Sequence, residues 1–206
     1  MRILFQGDSV TDAGRNYADS HELGPGYVKY TAELIRAALP EEDIEFINLG
    51  ISGNRTKDLL ERAKRDFTEV NPDIVTILIG VNDTWRRYDS NDPTSDEQFR
   101  ANYESLLRKI KDKTHAKIVL IDPFLIYGMG RDHYREDLDG KIDVTRKLAL
   151  EYAERYLPLD GILASETLGK EPRLLSEDGV HPAEYGRKVI AQHLAPLIIG
   201  LIKELR

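Results

Sequence analysis

Four short stretches of this 206-residue chain carry residue types that can do covalent chemistry at one place. The first, Gln6-Gly7-Asp8-Ser9-Val10-Thr11-Asp12, follows an apolar run, so Ser9 stands at a strand tip where its hydroxyl and its own N–H can face solvent. A serine so placed is a candidate nucleophile; it is also a common turn residue. The second, Asn48-Leu49-Gly50-Ile51-Ser52-Gly53-Asn54, has two glycines that allow a tight turn and can leave N–H groups facing a ligand, although a plain strand-to-helix turn uses glycine in the same way. In the third, Gly80-Val81-Asn82-Asp83, the Asn82 amide can donate to a developing oxyanion, or can close an Asx-turn or cap a helix. The fourth, Asp178-Gly179-Val180-His181-Pro182, sets a carboxylate three residues before a histidine. That spacing lets Asp178 accept from one ring nitrogen and leaves the other free as a base, with a turn aspartate beside a surface histidine as the alternative. His21, His115, His133 and His193 have no comparable neighbours and read as surface or packing residues.

The elements between these stretches decide whether they meet. Apolar runs at Ile3-Leu4-Phe5, Ile44 to Leu49, Ile74 to Ile79, Ile118 to Ile121 and, more weakly, Leu157-Pro158-Leu159 read as five strands. Helical stripes lie between and after them: Tyr27, Tyr30, Leu34, Ala38; Leu59, Leu60, Ala63, Phe67; Phe99, Tyr103, Leu106, Leu107, Ile110 behind a capping box at Ser95 to Gln98; Ile142, Thr145, Leu148, Ala149, Tyr152, Tyr156; and Tyr185, Val189, Ile190, Leu194. Pro182 suits the first turn of the last helix, and Pro196 is expected to kink it or end it near Ala195. Strict alternation of five strands and five helices predicts one doubly wound α/β domain over residues 1–206. In such sheets ligands sit beyond the C-terminal strand ends, which selects the loops after Phe5, Leu49, Ile79 and Ile121, and in a regular fold the stretch before the last helix lies on the same rim. They would supply a nucleophile, a base with its orienting acid, and at least two oxyanion donors.

Together Gly7-Asp8-Ser9 with Thr11, Gly53, Gly80-x-Asn82-Asp83 and Asp178-x-x-His181-Pro182 resemble, in order and across nearly the whole chain, the four blocks of the SGNH hydrolases, also called GDSL-type esterases. Val10 stands where Leu or Ile is common, a departure without consequence. The resemblance implies a flavodoxin-like three-layer fold with five parallel strands, and a triad of Ser9, Asp178 and His181. It also implies an oxyanion hole made by the Ser9 and Gly53 N–H groups and the Asn82 side chain, and a serine esterase that needs no metal or cofactor. Leu23 to Val28, Asn48 to Asn54, Val81 to Asp89 and Asp122-Pro123-Phe124 are further similar to the branch acting on acetylated xylo-oligosaccharides. That likeness implies a short-chain acetyl ester as substrate, with Trp85 lining the sugar or acyl pocket or a subunit interface, and leaves a homo-oligomer open.

Composition narrows the field further. The absence of cysteine removes thiolate nucleophiles, thiolate metal sites and disulfides. A net charge of −7 with no basic block argues against a nucleic-acid partner. No apolar stretch reaches the roughly 18 residues a bilayer span needs, and Met1–Phe5 is short for a secretion signal, so a cytoplasmic protein without a membrane partner is expected. Two rivals use other chemistry. A metal-dependent phosphoesterase would take ligands from Asp8, Asp12, Asn82, Asp83, Asp178 and His181, but the chain lacks a closely spaced histidine pair. A nucleotide or flavin binder would need a phosphate-cradling loop, and Gly7-Asp8-Ser9 has an acid at its centre. Within the esterases, a lipase- or thioesterase-type acyl hydrolase remains the alternative. The stretches Tyr88–Pro93 and Tyr127–Gly140 are the candidate lids or walls.

Overall fold

The computed structural model describes residues Met1 to Arg206. Its centre is one sheet of five parallel strands, β1 (Arg2–Gly7), β2 (Glu45–Asn48), β3 (Ile74–Leu78), β4 (Lys117–Ile121) and β5 (Arg155–Leu157), in the order β2-β1-β3-β4-β5. This is the flavodoxin-like arrangement, and its topological switch point lies between β1 and β3. Side chains alternate across it, as a period of two requires. Ile3, Phe5, Ile74, Leu78, Val119 and Ile121 enter one core, and Leu4, Val75, Ile77, Ile118 and Leu120 the other.

The first core is closed by α2 (Tyr27–Ala38) and α8 (Glu184–Glu204), with α7 (Leu159–Glu166) contributing Leu159 and Leu163. The second is closed by α3 (Thr56–Glu61) with its π-helical extension Lys64–Thr68, α5 (Asp96–Lys113) and α6 (Arg135–Tyr152). Two short helices, α1 (Ser9–Asp12) and α4 (Val81–Asp89), begin directly after β1 and β3, and so flank the switch point.

Several local readings are corrected. Alternation is not strict, because α1 and α2 both separate β1 from β2, and α4 and α5 both separate β3 from β4. The α2 stripe is rotated: Tyr27, Val28, Thr31, Ala32 and Ile35 face the core, while Leu34 is 41% exposed. The buried face is set by Val28, Ala32 and Ile35, apolar at helical spacing beside Tyr27, whose hydroxyl meets Thr11 Oγ1 at 2.9 Å. Tyr156 belongs to β5 and not to the helix before it, and β5 stops at Leu157 because Leu159 opens α7. Only half of the Ser95 capping box forms: Ser95 Oγ accepts from the Gln98 N–H at 3.2 Å, whereas the Gln98 amide turns to Asn102 at 2.9 Å.

The last helix starts later and runs further than expected. The chain stays extended to Ala183, held by the Ala183 N–H on the Leu175 carbonyl at 2.8 Å, so Pro182 lies before the helix. Pro196 sits on the solvent face, where the Gln192 carbonyl that loses its partner can be hydrated; buried Leu194, Ala195, Ile198, Leu201 and Ile202 keep both halves on the sheet. No helix is long and apolar enough to cross a membrane.

Candidate active site

Ser9 is the first residue of α1, so helical geometry gives its N–H no intrahelical acceptor. The turn that puts it there needs Gly7, where a Cβ would lie 2.3 Å from the Leu78 carbonyl oxygen and from Thr11 Oγ1. Asp8 caps the helix, its Oδ1 accepting from the Val10 N–H at 3.0 Å. Burial pushes the Asp8 carboxyl up to about 7, against the opposing pull of that N–H and of the nearby His181.

Across 172 residues of sequence, His181 Nε2 lies 2.9 Å from Ser9 Oγ. His181 Nδ1 in turn lies 2.8 Å from Asp178 Oδ2. With Nδ1–H directed to the carboxylate, Nε2 is left to accept from the Ser9 hydroxyl. The other carboxylate oxygen, Oδ1, accepts from the backbone N–H groups of His181 at 2.8 Å and Val180 at 2.9 Å. The Asp178–His181 loop is closed by Ser176, whose hydroxyl accepts from the Gly179 N–H at 2.9 Å and donates to the His181 carbonyl at 2.8 Å.

The charges follow from these bonds. Burial works to raise the Asp178 carboxyl, but the hydrogen bonds from the His181 ring and from the His181 and Val180 backbone outweigh it and hold it well below the usual carboxylate range. The hydrogen bond to Asp178 raises His181 above its ordinary value, partly offset by desolvation. The pair is therefore an ionised carboxylate and an imidazole with increased basicity.

The expected oxyanion donors lie on the same rim. Gly53 takes φ +82°, and a Cβ there would meet only the Arg86 guanidinium, at 3.9 Å, so this peptide borders open space. Its N–H donates to no protein acceptor. Asn82, in the first turn of α4, directs its Nδ2 to the Asn54 carbonyl at 3.2 Å, one residue from Gly53. The Gly53 loop is fixed by Asp12, whose Oδ2 accepts from the Ser52 N–H at 3.0 Å and the Ser52 hydroxyl at 2.5 Å, and by Asp83, which accepts from the Thr56 N–H at 3.1 Å and hydroxyl at 2.8 Å.

Trp85 follows Asn82 by one helical turn, and its ring centroid lies 6.0 Å from that of His181. Val81, Tyr134, Leu138, Ile142 and Val180 support it from below, with Tyr134 edge-on at 5.9 Å. The two candidate lid stretches are tethered walls. Tyr88 stacks on Tyr134 at 4.5 Å and donates to the His133 carbonyl at 3.0 Å, and Asp92 pairs with Arg55 at 2.6 Å. A cavity of about 10 Å³ lies among Asp8, Val10, Leu78, Ile79, Val81, Pro123, Phe124 and Val180. An open polar groove of about 480 Å³ runs past His181 between Glu177 and Arg187.

The arrangement can transfer a proton from a serine hydroxyl to a neutral imidazole, with N–H donors on the facing loop. Of the six ligands considered for a phosphoesterase, Asp178 and His181 pair with each other, and nowhere are three or more His, Asp or Glu side chains gathered in a metal-holding arrangement. Sequence reasoning missed Arg131, Ser176, Thr56 and the supporting role of Asp12. Ser176 precedes Asp178 by two residues and Thr56 precedes Asp58 in a helix start; Arg131 has no sequence signal.

Comparison with known proteins agrees with the architecture. Residues 5–189 match the model of the GDSL-like lipase/acylhydrolase family. An acetylxylan esterase from Geobacillus stearothermophilus is 34% identical over 198 residues, covering 93% of this chain and 90% of the relative. An arylesterase from Vibrio mimicus is 26% identical, covering 77% and 72%. A solved single-residue variant of an acetyl-xylooligosaccharide esterase from Geobacillus superposes with a TM-score of 0.88 at 34% identity, covering 97% of this chain and 94% of the other.

Proposed function

The chain belongs to the GDSL-like lipase/acylhydrolase (SGNH) family and is a carboxylic ester hydrolase of that type, and on this footing we propose that it removes acetyl groups from xylo-oligosaccharides or related sugars through a Ser9–His181–Asp178 relay. The observation that carries the proposal is the continuous hydrogen-bonded chain from Ser9 Oγ through both ring nitrogens to the Asp178 carboxylate. His181 takes the Ser9 proton as Oγ attacks the ester carbonyl, and returns it to the departing sugar oxygen. Water then attacks the acetyl-enzyme with His181 again as base, and Ser9 is released. The Ser9 and Gly53 N–H groups and Asn82 Nδ2 stabilise the oxyanion in both halves, each donor contributing about 3 to 4 kcal/mol.

The relatives support this assignment. The solved structures of the Geobacillus acetylxylan esterase include catalytic mutants at a serine, an aspartate and a histidine, the last two spaced three apart, as Asp178 and His181 are. The acetyl preference draws on the acetylxylan and acetyl-xylooligosaccharide esterases among these relatives. It also draws on Trp85, whose ring bounds the site on the His181 side. An accepting pocket would instead gain about 0.8 kcal/mol per methylene, the trend of a lipase or thioesterase.

Hydrolysis of p-nitrophenyl acetate, butyrate and octanoate, beside peracetylated xylose and acetylated xylo-oligosaccharides, tests the reading. Rates should fall steeply from acetyl to octanoyl, and acetate should be released from the sugars. Preference for octanoate, or inertness toward the sugars, would remove the carbohydrate assignment. Full activity in Ser9→Ala would remove the relay itself.

A further inference from the structure

Arg131 lies in the segment between β4 and α6 and touches two parts of the site at once. Its guanidinium stacks on the Trp85 ring at 4.5 Å from the centroid. From that position Nη1 donates to the Asp178 carbonyl and stands 3.9 Å from the Asp178 carboxylate. A second tie runs beside it, the Ile126 N–H on the Gly179 carbonyl at 2.8 Å. We propose that Arg131 is a positioning residue that joins the Asp178–His181 loop to the Trp85 wall, fixing Asp178 behind His181 and setting the charge that His181 experiences.

This rests on the relay proposed above. A guanidinium suits the task because one planar face can stack on an indole while its edge donates to oxygen, a combination an ammonium cannot make. The charge matters because His181 otherwise meets mainly acids. Asp178 and Glu177 lie on its own loop, Asp8 comes from the end of β1, and Glu184 from α8; the cations are Arg131 and, across the groove, Arg187. Asp178 and Asp8 push the imidazole toward the protonated form, and Arg131 opposes them. With Arg131 present, the base is held closer to neutrality while its orienting carboxylate stays fixed.

Arg131→Gln and Arg131→Lys, assayed on p-nitrophenyl acetate across pH beside wild type and Ser9→Ala, separate the two roles. For Arg131→Gln, kcat is expected to fall several-fold with KM little changed. Its acid limb should move to higher pH by about half a unit, the scale of a half-exposed charge pair. Arg131→Lys should keep the wild-type acid limb, because the charge remains, with kcat reduced by loss of the stacked geometry. Thermal unfolding of each variant reports whether the fold survives. An unmoved acid limb in Arg131→Gln overturns the inference even if kcat falls, since a purely structural role would leave the titration in place. An acid limb displaced equally in both variants overturns it too. Failure of the relay reading is distinguishable, because it would appear as activity retained in Ser9→Ala.

Discussion

Asp178→Asn puts the proposed relay under its severest test, because an amide cannot reproduce what both carboxylate oxygens do. In the wild type, Oδ1 accepts from two backbone N–H groups, those of His181 and Val180, while Oδ2 accepts from His181 Nδ1. The amide has one oxygen for these two tasks. Directed at the backbone, it keeps two hydrogen bonds and turns its NH₂ toward Nδ1, so Nδ1 must accept and the ring proton moves to Nε2. That tautomer cannot receive the Ser9 proton. Directed at the ring, the oxygen preserves the useful tautomer but sets NH₂ against two N–H donors, at about 1 kcal/mol each. The first orientation is thus favoured by about 2 kcal/mol, which leaves only about one molecule in 30 with a competent base. Loss of the negative partner for the imidazolium formed during attack adds to this. The total is expected near 10⁴-fold in kcat, or about 5 kcal/mol, the scale of the same substitution in a serine-protease relay. Turnover of p-nitrophenyl acetate measures the loss, thermal unfolding checks the fold, and ¹⁵N shifts of the His181 ring report where the proton sits. A loss below about tenfold, or an unchanged tautomer in the variant, would refute the reasoning.

Other outcomes follow from the same geometry. Asn82→Ala should lower kcat by roughly 10²- to 10³-fold with little change in KM, since its Nδ2 acts on charge that develops only during reaction; a KM effect alone would make Asn82 a ground-state contact. Because the reactive His181 is neutral and Asp178 raises its pKa, kcat/KM should fall as pH drops through a value above the ordinary 6.5 or so, and a midpoint below that value would contradict the Asp178 hydrogen bond. Burial pushes the Asp122 carboxyl up to about 7, so the folded state holds a proton that the unfolded state releases, and this residue removes stability as pH rises from about 4 to about 7. The difference in Tm between Asp122→Asn and wild type should therefore shift in favour of the variant from pH 4.5 to pH 8, and a constant difference would show that Asp122 does not titrate there.

The sequence was legible where one principle acted alone. A nearly continuous, largely β-branched apolar run such as Ile74 to Ile79 reads as a covered strand, and the stripe from Phe99 to Ile110 is buried in full. The site was legible for a related reason: a parallel sheet sends its C-terminal ends to one rim, so Ser9, Gly53, Asn82 and His181 are brought near by topology before any side chain is placed. Misreadings arose where two principles competed. Helical spacing offers two faces on α2, Tyr27-Tyr30-Leu34 and Tyr27-Val28-Ala32-Ile35, and the second is the buried one. Pro196 carries a strong local cost, and burial on both sides of it carries a larger gain. Arg131 was invisible because its partners, Trp85 and Asp178, lie 46 and 47 residues away with no pattern linking them.

The acids beside the motif residues show a division of labour that motifs alone conceal. Asp8 and Asp83 stand next to Ser9 and Asn82 in sequence, yet neither carboxylate belongs to the hydrogen-bonded relay. Asp8 is spent on the Val10 N–H and Asp83 on Thr56, and burial raises the two carboxyls to about 7 and about 6. A buried acid that merely filled space would be replaced at a gain by an apolar residue, because desolvation of the carboxylate is costly. Here Asp8 caps α1 through Val10 and Asp83 ties α4 to the start of α3 through Thr56, while Asp12, at the end of α1, holds the Gly53 loop through Ser52. The distance between the Ser9 N–H and the Gly53 loop therefore depends on hydrogen bonds, which are directional, and not on apolar contact, which tolerates slippage. The proposed oxyanion hole, shared among three loops, needs that directionality, since its donors must already point at the reacting oxygen when charge appears.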